Sequence, residues 1–123
     1  MKVQKHIHII DDEAGVRAYL RTLLVREGYR VTDTDNPISV RVRDEQHPPD
    51  LVIVDLKMPG LDGYEVCKEY KRPGVPPVPV LILSGHTDLR TKAAVRDAGA
   101  DVFLAKPVNT KKLLKTIASL VRK

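Results

Sequence analysis

The chain reads as one α/β domain in which five strands alternate with five helices, the helices flanking a parallel sheet in three layers. Three observations predict this. Short apolar, β-branched runs recur along the sequence, as strands buried on both faces require. Helix-periodic stretches separate them, and such alternation closes through right-handed crossovers with helices on both faces of the sheet. Finally, the residues of strongest chemistry, Asp11, Asp12, Asp55, Ser84 and Lys106, all fall at the C-terminal ends of strand runs, on the rim where an open parallel sheet binds ligands.

His6–Ile10 is the first strand, closed by Asp11 and Asp12. Ala14–Arg26 follows as a helix, with Val16, Leu20, Leu23 and Leu24 at helical spacing and Gly28 in a stop position. Glu13 suits the first turn, where an acid complements the helix dipole. Arg30–Thr34 is more polar, as an edge strand can be. A short second helix is expected over 37–45, ending before His47-Pro48-Pro49. Residues 51–54 form the third strand, closed by Asp55, and 62–70 the third helix. The loop over 71–79 holds four prolines and a glycine. Residues 80–83 form the fourth strand, followed by Ser84, and 88–98 the fourth helix, stopped by Gly99. Val102–Ala105 is the fifth strand, followed by Lys106. Asn109 caps a fifth helix reaching the chain end, with Leu113, Leu114, Ile117, Leu120 and Val121 inward.

With 123 residues, 42% of them hydrophobic, the sequence is the size of one ordinary domain, and 1–123 is expected to form it without a second. Cys67 is the only cysteine; it cannot form an internal disulfide and reads as helix core. No long apolar run serves as a signal peptide or membrane span, so a cytoplasmic location and no membrane partner are expected. The net charge of +5 comes from one segment: residues 109–123 carry five basic residues and no acidic one, while the remainder balances at 16 against 16. This reads as a solvated helix face, with cations near a C-terminal dipole, and not as a distributed nucleic-acid surface.

Clustered carboxylates on the rim repel. Two charges about 4 Å apart cost roughly 4 kcal/mol at an effective dielectric near 20. A hard divalent cation offsets this, and Mg²⁺ held by one or two carboxylates keeps positions open for phosphoryl oxygens; Mn²⁺ is an expected substitute. One aspartate can then attack phosphorus without a base to activate it. Ser84 can donate to a phosphoryl oxygen and Lys106 can offer a point charge.

The motifs Asp11-Asp12-Glu13, the run from Asp55 through Pro59 and Gly60 to Gly63, Ser84-Gly85, Gly99-Ala100-Asp101 and Lys106-Pro107 together resemble the response regulator receiver domain of two-component signalling, as in chemotaxis regulators. The resemblance spans essentially the whole chain. It implies a flavodoxin-like doubly wound sheet of order 2-1-3-4-5, with Asp55 as phosphoacceptor. It also implies metal ligation by Asp11, Asp12, Asp55 and the Lys57 carbonyl, a charge partner in Lys106, a cis peptide before Pro107, and a switch pair in Ser84 and Phe103. Lys57 and His86 stand where family members tune the lifetime of the phosphoryl group; their side chains either shield it or face solvent.

The implied function is a phosphorylation-activated switch. A sensor histidine kinase or phosphotransfer protein would supply the phosphoryl group, and the face made by the last two helices and last strand would control an output protein or domain. The only turnover expected is that of its own phosphoryl group. The protein would be a monomer or a phosphorylation-dependent dimer, with no direct nucleic-acid contact. A Mg²⁺-dependent phosphotransferase or phosphatase would need a substrate pocket and a second acid, and a receiver that works without phosphorylation is opposed by Asp12, Asp55, Ser84 and Lys106 together. His6, His8 and His47 lack metal-ligand spacing and read as strand or loop residues.

Overall fold

The computed structural model describes residues 4–35, 48–55, 63–71, 73–74, 77–85 and 89–121. The helix expected over 37–45, together with His47, Lys57 and His86, lies outside them. Five strands, β1 (His6–Ile10), β2 (Arg30–Thr34), β3 (Leu51–Asp55), β4 (Val80–Ser84) and β5 (Val102–Ala105), form one sheet in the order β2-β1-β3-β4-β5. All four pairings are parallel, with Ile7 opposite Val31 and Leu51, Ile53 opposite Leu81, and Ile82 opposite Phe103. Four helices are found among the described residues: α1 (Ala14–Arg26), α2 (Gly63–Lys71), α3 (Leu89–Asp97) and α4 (Thr110–Val121).

Strand alternation sorts the core into two layers. Leu51 and Ile53 of β3 join Ile7, Leu20, Leu24, Leu113 and Ile117 on the side of α1 and α4. Val52 and Val54 turn the other way and pack with Val66, Cys67, Tyr70 and Val95 beneath α2 and α3. β3 and β4 are buried along their whole length, whereas β2 is only partly covered, as its polar sequence requires of an edge. Burial pushes the Cys67 thiol up to about 11, so it stays protonated and serves as apolar filling.

Helix ends follow local chemistry. Gly28 and Gly99 adopt φ of 96° and 106°, and each closes a helix the same way. The glycine N–H donates to the carbonyl of Val25 or Arg96, and the next N–H to that of Leu24 or Val95, the paired bonds of a glycine-stopped helix. At Gly99 a Cβ would lie 2.7 Å from Lys71 Cγ, so glycine is needed for space as well as for φ. Asn109 Oδ1 accepts the Lys112 N–H at 3.1 Å, as expected of an N-cap. Glu13, read as an acid at the helix start, occupies the N-cap position of α1 but makes no side-chain cap bond. The lysines of the basic segment also differ from expectation: Lys111 and Lys112 sit in the first turn of α4, at the positive end of its dipole. No described helix is long and apolar enough to cross a membrane.

Candidate functional site

Parallel strands bring their C-terminal ends to one rim, and there the topology places β1, β3, β4 and β5 side by side. Asp11 follows β1 and is held into the sheet by its own N–H, which donates to the Thr34 carbonyl at 3.1 Å. Asp55 is the last residue of β3 and Ser84 the last of β4, each one residue further into its strand than the apolar run alone suggests. Asp11, Asp55 and Ser84 are buried, at 3%, 2% and 0% exposure, while Asp12 and Glu13 are exposed. Carboxylate oxygens of Asp11, Asp12, Glu13 and Asp55 all lie within 4.8 Å of one another.

One ammonium among the described residues answers them. Lys106 Nζ lies 3.1 Å from Asp55 Oδ2, and the Lys106 N–H donates to the Ser84 carbonyl at 2.8 Å, fixing the lysine's base against β4. The peptide between Lys106 and Pro107 is cis. Asp11 Oδ1 accepts the Glu13 N–H at 2.9 Å. The Asp11 carboxyl is nevertheless raised to about 6, chiefly because burial penalises its charged form. The Asp55 and Asp12 carboxylates add to this, whereas the Glu13 N–H and Lys106 oppose it.

The arrangement therefore concentrates negative charge in excess of its cation. Its donors are hard carboxylate oxygens, two of the four residues being exposed enough to admit water, which suits Mg²⁺ and similar ions better than a thiolate- or imidazole-seeking metal. Asp11, Asp12, Asp55, Ser84 and Lys106 thus come to one rim. Lys57 and His86 lie outside the described residues. Phe103 is half-buried in β5 and packs against the Val52–Ile82 side of the core.

Two contributors escape sequence reasoning. Glu13 adds a fourth carboxylate to the cluster, a role masked by its suitability for a helix start. Arg17 Nη1 donates to the Asp11 carbonyl at 2.6 Å, and its Nε lies 3.6 Å from Asp33 Oδ1. Arg21 joins the same Asp33 carboxylate at 2.8 Å. The only sequence signal was two arginines four apart on one helix, too common to interpret before β2 was known to lie beside α1.

Residues 7–118 match the family model of the response regulator receiver domain. The response regulator MprA of Mycobacterium sp. (strain KMS) is 34% identical over 117 residues, covering 95% of this chain and 50% of that protein. The transcriptional regulatory protein ResD of Bacillus subtilis is 31% identical over 117 residues, covering 95% and 48%. The chain spans about half the length of the curated relatives it matches. A response regulator receiver domain protein from Clostridium thermocellum superposes with a TM-score of 0.85 at 31% identity, covering 96% of this chain and 94% of that one. With its sheet order, its rim of acids and the match over nearly its whole length, this chain belongs to the response regulator receiver domain family of two-component signalling.

Proposed function

We propose that the protein is a switch operated by phosphorylation of Asp55. The observation that carries the reading is the Asp55 carboxylate itself: buried at the end of β3, ion-paired to Lys106 at 3.1 Å, and set among three further carboxylates. An Asp55 oxygen attacks the phosphorus of a donor, the bond from phosphorus to the donor's leaving group breaks, and an acyl phosphate remains. Lys106 then has a phosphoryl oxygen to pair with in place of the carboxylate, and the Ser84 hydroxyl can donate to another. Asp11, Asp12 and Asp55, with the Lys57 carbonyl, would hold Mg²⁺, and Glu13 stands near enough to steady its water. When bound, Mg²⁺ neutralises the carboxylates and the incoming phosphoryl charge. Lys57 and His86 are assigned to tuning the adduct's lifetime.

The donor is proposed to be a histidine kinase or phosphotransfer protein. Ser84 and Phe103 project from the same face of neighbouring strands, because Ile82 pairs with Phe103 and Ser84 with Ala105. Movement at Ser84 is therefore proposed to reach Phe103 and the surface of α3, β5 and α4, which controls an output protein or a domain of a longer chain. The exposed lysines 111, 112 and 115 suit an acidic partner there. The only phosphoryl turnover assigned is that of the protein's own adduct.

Acetyl phosphate with Mg²⁺ is expected to add one phosphoryl group by intact mass, removable by hydroxylamine, absent without Mg²⁺ and absent in Asp55→Asn. Lys106→Ala is expected to retain some adduct while losing the response of Phe103. An adduct that persists in Asp55→Asn would place the nucleophile elsewhere.

A further inference from the structure

Phe103 has a contact besides the apolar core it packs against. The Lys92 ammonium of α3 lies over its ring, 5.7 Å from the centroid, within the range where a ring's negative face attracts a cation. Both residues are half-buried, and no carboxylate among the described residues forms an ion pair with Lys92. Beside them lies a cavity of about 260 Å³ whose lining includes Lys92, Val95, Arg96, Ala100, Asp101 and Phe103. The ring is thus tethered on one side and has open space next to it.

We propose that Lys92 is a positioning residue that holds Phe103 in its resting position, so that the attraction between ammonium and ring sets how far the unphosphorylated protein leans toward the activated arrangement. This deepens the switching role of Phe103 proposed above and rests on it. An attraction of this kind at a partly exposed site is worth about a two- to fivefold population change. Removing it favours the displaced ring, and an activating ligand then has less to overcome. Arginine in place of lysine preserves the attraction.

Phe103 is the only phenylalanine in the chain, so protein labelled with ¹³C-phenylalanine yields ring signals from this residue alone. Wild type, Lys92→Met and Lys92→Arg would be compared at rest and during titration with beryllofluoride in the presence of Mg²⁺. Lys92→Met keeps the helix propensity and stem length while deleting the charge. It is expected to shift the resting ring resonances and to bind beryllofluoride about two- to fivefold more tightly; Lys92→Arg is expected to stay close to wild type in both. Ring resonances or beryllofluoride affinity unchanged in Lys92→Met would overturn the proposal, as would an Arg variant that behaves like Met. A wild-type ring that does not respond when beryllofluoride binds would instead overturn the switching role of Phe103, and the positioning role with it, even if Lys92→Met moves the resting signals.

Discussion

At Asp11, burial and the neighbouring carboxylates make the charged form expensive and leave the pKa at about 6 against an ordinary 3.8. The folded protein therefore binds this proton more tightly than the unfolded chain does. Without metal, the Asp11 contribution to stability is intact below about pH 4 and is lost as pH rises toward and past 6. Asp11→Asn keeps an oxygen to accept the Glu13 N–H and removes the charge. At pH 7 without Mg²⁺ it is expected to be more stable than wild type by up to about 3 kcal/mol, the difference vanishing near pH 4. Urea titrations of both proteins across that range check it, and a pH-independent difference would mean that Asp11 is not the titrating group. Asp11, Asp12, Asp55, Ser84 and Lys106 were legible because each closes or follows an apolar strand run. Glu13, Arg17 and Lys92 were not, since their partners are set by which element lies beside which.

Elements were readable to within a residue or so where periodicity was strong. α1 and β2 match their expected bounds, while β3 and β4 each run one residue further, into Asp55 and Ser84, because the ladder continues wherever a neighbouring strand offers partners. In α4, Leu113, Ile117 and Val121 are buried and Leu114 and Leu120 partly so, the graded stripe of a helix lying on a sheet. What spacing could not reveal is the direction of the charge. Lys111 and Lys112 occupy the first turn, where each cation opposes the dipole by about 0.3–1 kcal/mol. Lys112→Glu places an acid three residues after the Asn109 cap, as a capping box requires. A gain of about 1 kcal/mol is expected, seen as a melting temperature a few degrees higher. An unchanged or lower value would show that the first-turn lysines carry no such strain.

For the molecule as a whole, the metal site proposed at the acidic rim would couple metal binding to folding. At about 100 times its dissociation constant, Mg²⁺ is expected to add roughly 2.7 kcal/mol, raising the melting temperature by something on the order of 10 °C. The chain has no tryptophan, so calorimetry is the readout, and a melting temperature indifferent to millimolar Mg²⁺ would count against the site. The alternation of strands and helices was legible from the sequence, whereas the strand order followed from resemblance, since apolar runs do not say which neighbour they will choose. That order has a consequence for synthesis. β1 ends between β2 and β3, with Ile7 paired to both Val31 and Leu51, yet it leaves the ribosome before either. Until β3 emerges, roughly 2 to 9 seconds later at usual elongation rates, the edge of β1 that β3 will cover stays unpaired. That interval is when a nascent chain of this kind is most open to pairing with the wrong neighbour, and β3 is the segment whose arrival ends it.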